Sequence, residues 1–166
     1  MQFEVTHIYK RPIVDVFDVL TDFECIRAKY LAVGQTGVEL VSREAGKDGS
    51  LTIVTRRVVP LDLPGFAKRV LSSKQTVTQT DTWSASDNKG ARTGTFAVES
   101  KGAPVKVSGA LRLVPKGAKG CTNTSTVTIE CKLPFIGGKI TDFVAGDAHR
   151  SVDHEQTWIS AYLAKH

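Results

Sequence analysis

From Gly37 to Leu133 the chain repeats one pattern: six runs rich in threonine and valine, separated by breaks that carry glycine or proline. β-branched side chains lose rotamer freedom in a helix and pack well on a pleated surface, so these runs predict strands. "GVELVSREAG" and "SLTIVTRRVV" meet at Gly-Lys-Asp-Gly, and "KQTVTQTDTWSAS" and "ARTGTFAVES" at Asp-Asn-Lys-Gly. "APVKVSGALRLVP" and "CTNTSTVTIECKL" meet at Lys-Gly-Ala-Lys-Gly. Short glycine-bearing turns of this kind join antiparallel neighbours. Proline stands only at the ends of the runs, where a missing N–H breaks no ladder.

What flanks the sheet decides its shape. The stretch "FEVTHIYK" alternates, with Phe3, Val5, His7 and Tyr9 on one face, and predicts a further strand with one side buried. "RPIVDVFDVLTD" and "DFECIRAKYLAVG" then have helical spacing. Pro12 suits a first helical position, Asp22 a cap between the two helices, and Gly34 a stop. From Ile140 to Leu163 the pattern is one helix, about 36 Å long at 1.5 Å per residue. A single amphipathic helix must bury its stripe, and the concave face of a curved sheet is the place for it. The expected architecture is α+β: a curved antiparallel sheet of about seven strands wrapped around a long C-terminal helix, with two short helices after strand one. One domain spans residues 1–166.

Composition narrows the function classes. With 166 residues and 41% hydrophobic content the chain can bury a real core. No stretch approaches the roughly 18 apolar residues of a membrane span. "MQFEVTHIYK" lacks the basic region and apolar run of a secretory signal, so a cytoplasmic protein is expected. Cys121 and Cys131 would lie about 33 Å apart along one strand, far beyond disulfide reach. No cysteine has metal spacing, and neither a metal nor another cofactor is expected. The net charge of +5 includes a cluster of Arg56, Arg57, Lys68, Arg69 and Lys74 against Asp62 alone. That is too sparse for nucleic acid, but it fits transient contact with an anionic membrane or a protein partner.

The segment "KLPFIGGKITDFV" puts two glycines where a strand meets the last helix. A phosphate cradle needs wider glycine spacing ending in Lys-Ser/Thr, or G-x-G-x-x-G after a parallel strand. Neither is present, so Gly137 and Gly138 are expected to form a corner. The element order, with "LPFIGGKI" leading into the final helix, resembles the START-like, helix-grip superfamily. That group includes pollen-allergen-like carriers, lipid-transfer domains and polyketide cyclases. "PLDLPGFAKRVL" before "QTDTW" is similar to a small bacterial family of unassigned function. The resemblance covers essentially the whole chain. It implies a cavity between sheet and long helix, often for lipids or other apolar molecules.

The residues themselves sharpen that expectation. At about 100° per residue, Asp147, Ser151 and Glu155 fall within the same helical stripe as Val144, Ala148, Trp158, Ile159 and Tyr162. His154 lies at its edge, and His149 and Asp153 face water. A carboxylate on a buried face is costly unless paired or hydrated. His7, Arg57 and sheet threonines are candidate partners, so the ridge either locks helix to sheet or orients a ligand's polar head. Trp83 and Phe96 are candidate wall residues, and Trp158 adds aromatic surface. Phe66 shares a side with Val70 and Leu71 in a segment that caps one end of the sheet or folds over a cavity mouth. The candidate ligand-binding set is therefore His7, Arg57, Phe66, Trp83, Phe96, Asp147, Ser151, Glu155 and Trp158, with no catalytic residue.

The leading expectation is a binding or carrier protein for a hydrophobic or amphipathic, lipid-like small molecule. A cyclase or dehydratase acting on a polyketide-like substrate is the alternative, with His7, Asp147, His154 or Glu155 as acid–base groups. The third is an interaction module built on the basic patch.

Overall fold

The computed structural model describes residues 1–166. In chain order it runs β1 (Gln2–Tyr9), α1 (Ile13–Thr21), α2 (Phe23–Ala32), β2 (Thr36–Ala45), β3 (Leu51–Pro60), a single 3₁₀ turn (Gly65–Ala67), β4 (Lys74–Trp83), β5 (Arg92–Ser100), β6 (Val105–Pro115), β7 (Cys121–Cys131) and α3 (Gly137–Lys165). The seven strands form one antiparallel sheet in the order β1-β7-β6-β5-β4-β3-β2. The expected helix-grip architecture is the one observed.

Strands β2 to β7 are hairpin neighbours in sequence, whereas β1 crosses the whole sheet to pair with β7, Gln2 opposite Thr128 and Tyr9 opposite Cys121. β1 and β2 are consequently the two edges. The β2 edge is interrupted by register shifts between Thr36 and Glu39 and between Leu40 and Ser42. Such bulges twist an edge out of reach of another chain's backbone. The two short helices end as their sequences dictate. Asp22 accepts from the Cys25 N–H at 3.0 Å to cap α2, and Gly34, at φ +88°, takes the left-handed conformation that stops it. Pro12 lies just before α1 as its cap residue, one position earlier than expected, and its carbonyl accepts from Val16 N–H at 3.3 Å.

The corner between β7 and α3 differs from the sequence expectation. Gly137 and Gly138 are already helical. The reversal is made by Phe135, at φ +68°, with the Ile136 N–H donating to the Pro134 carbonyl at 2.8 Å. This is a γ-turn of the rare positive-φ kind. Gly137 serves closeness instead: a Cβ there would lie 3.0 Å from the Cys131 carbonyl oxygen. The helix must start against the end of β7, so the glycine is used for approach and the turn falls to the residue after Pro134.

Buried side chains form two clusters. One joins Val16, Ile26 and Tyr30 of the short helices to Ile53, Leu113 and Leu163. The other joins Ala67 and Leu71 of the β3–β4 segment to Val127, Ile129 and Ile140. α3 enters the second cluster with Ile140 and Ala145 and the first with Ile159 and Leu163. Each fully buried aliphatic side chain contributes about 1.5–3 kcal/mol, so the helix is pinned at both ends. The middle of α3 belongs to neither cluster.

Candidate functional site

That middle stretch faces a cavity of about 260 Å³ between α3 and the inner face of the sheet. Val77, Val98, Val107 and Leu111 give the sheet side an apolar wall, and Val144 and Ile159 bound it along the helix. Trp83 and Phe96 also line it, each above a glycine of the next strand. Gly94 pairs with Trp83 and Gly109 with Phe96. A Cβ on Gly94 would sit 3.1 Å from the Trp83 ring, and one on Gly109 2.6 Å from the Phe96 ring and 2.0 Å from the Thr126 carbonyl oxygen. The absence of side chains at these two points lets both rings lie down on the sheet and shape the wall.

Of the nine candidate residues, seven line the cavity: His7, Arg57, Trp83, Phe96, Asp147, Ser151 and Glu155. Phe66 and Trp158 do not. Phe66 is 40% exposed, because its segment makes one 3₁₀ turn in which Ala67 points inward, and Leu71 beyond the turn is buried as well. Helical spacing does not govern so short a turn. Trp158 packs beside the first core cluster and stacks on Tyr162 at 5.2 Å. The buried stripe of α3 runs through Thr141, Ala145, Ile159 and Leu163. With Gly137 and Ile140 the buried residues span about 0–140° from Ile140, and Trp158, at the phase of Ile140, lies at one edge.

The polar ridge finds its partner on α2. Lys29 Nζ meets Glu155 Oε2 at 2.9 Å, with the two side chains 10% and 21% exposed. Burial pulls the Lys29 pKa down, but Glu155, with Tyr30 and Asp81, outweighs it and holds the ammonium above the ordinary lysine range. Asp147 lies 3.6 Å from Arg150, and burial raises its carboxyl despite that cation. His7 Nε2 approaches Asp153 at 3.6 Å. His154 is exposed. Of the four candidate acid–base groups, His7, Asp147 and Glu155 line the cavity and His154 does not.

A second polar cluster continues from Lys29. Arg57 is only 7% exposed. Its Nε donates to Gln35 Oε1 at 2.5 Å and its Nη2 to Gln79 Oε1 at 2.9 Å. Its guanidinium lies over the Tyr30 ring at 3.9 Å, and the Tyr30 hydroxyl donates to Gln79 Oε1 at 3.3 Å. The Gln79 amide in turn donates to Asp81 Oδ1 at 2.8 Å. Burial raises the Asp81 pKa, opposed by the Gln79 hydrogen bond and by Lys29 and Arg57. Two buried atoms have no protein partner, Arg57 Nη1 and Asn123 Oδ1, and both residues line the cavity. Gln35, Gln79, Asp81 and Lys29 were not singled out from sequence. The available signal was the two-residue period of β4, which puts Gln79 and Asp81 in phase with Trp83.

No group of three or more His, Cys, Asp or Glu side chains lies close enough to hold a metal ion. No helix is long and apolar enough to cross a membrane.

Residues 4–163 match the sequence profile of a family described as "Protein of unknown function (DUF2505)", and the chain belongs to that family. Uncharacterized protein Rv0481c of Mycobacterium tuberculosis H37Rv is 29% identical over 125 residues, which covers 74% of this chain and 71% of that protein. Among solved structures, the Zhui aromatase/cyclase from Streptomyces sp. R1128 superposes with TM-score 0.67 at 14% identity, covering 98% of this chain and 92% of that one. A START superfamily protein from Mycobacterium smegmatis gives 0.62 at 12% identity, covering 99% and 97%. At these identities the likeness is one of fold, and it is the START-like fold.

Proposed function

We propose that this member of the DUF2505 family is a non-catalytic binding or carrier protein for a hydrophobic or amphipathic small molecule. The observation that carries the reading is the cavity itself: a helix pinned at both ends bridges a hollow with apolar walls and a few convergent polar groups. That combination is what small-molecule sites present. The relatives' shared START-like fold supports a ligand-holding role, and the three free cysteines fit a reducing cytoplasm. A catalytic reading has less support, since Glu155 is committed to Lys29 and His7 faces Asp153.

The test is native mass spectrometry of purified protein beside organic-solvent extraction, with titration of a fluorescent apolar probe. One equivalent of an apolar species, lost in Val107→Trp while the circular dichroism spectrum is kept, is the expected result. Refusal of every apolar probe by folded protein would overturn the reading.

One surface observation favours an added, transient contact with anionic membrane. Phe135 is fully exposed on its γ-turn and Phe66 is 40% exposed. Lys139 Nζ lies 5.9 Å from the Phe66 ring centroid, and Lys68, Arg69 and Lys132 flank the two rings in sequence. Apolar tips among cations suit an anionic bilayer surface. Vesicles with 30% phosphatidylserine should co-sediment the protein at low salt and release it in Phe66→Ser/Phe135→Ser. Binding indifferent to lipid charge would remove this reading.

A further inference from the structure

Arg57 is charged at every accessible pH, and a buried guanidinium is tolerated when an anion or a full set of acceptors meets it. Here it has neither. Its two hydrogen bonds go to neutral amide oxygens, of Gln35 and Gln79, and it takes part in none of the six ion pairs of the protein. Nη1 is buried, has no protein partner and belongs to a residue of the cavity wall. The guanidinium is also held in place, by the amides at two of its nitrogens and by the Tyr30 ring against its face. A donor fixed on all sides but one is built to meet something on that side.

The other cations and anions of the patch do not answer it. Lys29 and Glu155 neutralise each other at 2.9 Å. Asp81 lies two residues beyond Gln79 on β4, its Oδ1 takes the Gln79 amide, and burial pushes the carboxyl toward its neutral form. Asn123 Oδ1, the other unpartnered atom, is an acceptor on β7 and would repel an anion.

Resting on the carrier reading above, we infer that the ligand is an amphipathic monocarboxylate whose head group is received by Arg57 Nη1, with its apolar body along the Val77, Val98, Val107 and Phe96 wall. One free guanidinium nitrogen matches a single carboxylate oxygen better than a doubly charged phosphate, which calls for several donors. The volume of about 260 Å³ lies just below the roughly 300–1,000 Å³ of drug-sized ligand sites. That suits a single chain or a fused-ring body better than a two-chain lipid.

The test compares matched probes by isothermal titration at neutral pH: decanoate against 1-decanol, and 1-naphthaleneacetate against 1-naphthaleneethanol. A charge-assisted hydrogen bond in a buried site should make at least one acid about tenfold to a hundredfold tighter than its alcohol. Arg57→Gln should remove that preference while alcohol affinity stays within about threefold. Where Arg57→Gln fails to fold, guanidinium ¹⁵N–¹H spectra of the unmodified protein decide, because decanoate or naphthaleneacetate must shift the Arg57 Nη signals. Alcohols binding as tightly as both acids, or acid preference surviving in folded Arg57→Gln, would overturn the head-group assignment and leave the carrier reading standing. Binding of no probe of either kind would end both.

Discussion

Severing the Lys29–Glu155 pair should destabilise the protein unequally from its two sides. The pair is 2.9 Å long, and Glu155 retains twice the exposure of Lys29, 21% against 10%. Breaking a buried pair costs about 3–5 kcal/mol because one charge is left without a partner. Lys29→Met leaves a carboxylate that can still take up water, so about 2–3 kcal/mol is expected. Glu155→Gln leaves an ammonium with less access to solvent, and about 3–4 kcal/mol. For a domain of this size each kcal/mol shifts Tm by about 2–4 °C, so Glu155→Gln should lower Tm by about 6–16 °C. Lys29→Met/Glu155→Leu removes both charges and should cost less than the two single changes added together.

In the unaltered protein Glu155 holds the Lys29 pKa above its unfolded value, so the contribution is complete below the ordinary lysine range and is lost as pH rises beyond it. In Glu155→Gln burial, the largest influence on Lys29, is opposed only by Tyr30 and Asp81, and the pKa is expected to fall. The unfolded chain then binds the extra proton, and stability must rise as pH climbs through about 7 to 10. Urea melts followed by circular dichroism at pH 7, 8.5 and 10 read these slopes. Equal slopes in the two proteins, or a single-variant cost below about 1 kcal/mol, would refute the buried-pair account.

Gly109→Ala should cost about 1–3 kcal/mol or more in urea melts, since its Cβ would meet the Thr126 carbonyl oxygen and displace the Phe96 ring. Asp81→Asn should hold or raise Tm at pH 7: the folded carboxyl has a raised pKa, so native stability falls as pH rises from about 4, and the variant removes that slope. The benefit should shrink as pH is lowered toward 4. Phe135→Gly relaxes a positive-φ residue and should stabilise by about 1 kcal/mol, while weakening co-sedimentation with anionic vesicles.

The fold was legible because its signals are local. Two-residue alternation marks β1 and the meander, Asp22 and Gly34 punctuate the short helices, and one uninterrupted pattern marks α3. The ridge of Asp147, Ser151 and Glu155 was legible too, since helical phase alone turns it inward. Its partner was not, because nothing in the spacing of Lys29 on α2 says which residue 126 positions later it will meet. Arg57 could be named as a candidate, but the two glutamine amides that immobilise it lie on other elements. Phe66 and Trp158 were misplaced for a different reason. Phase arguments need a long helix, and a 3₁₀ turn has none, while on α3 Trp158 shares the inward phase of Ile140 but packs beside the first core cluster instead of lining the cavity.

The crossing of β1 to β7 also sets an order of events in time. Gln2 bonds to Thr128 across 126 residues of sequence, and at cellular synthesis rates those residues take on the order of ten seconds to appear. During that interval β2 to β6 can pair as hairpins with Val77, Trp83, Phe96 and Leu111 uncovered, since α3 has not yet been made. Closure of the molecule then depends on contacts of high sequence separation, which form slowly. The hollow comes into being last, once α3 has docked across the finished sheet.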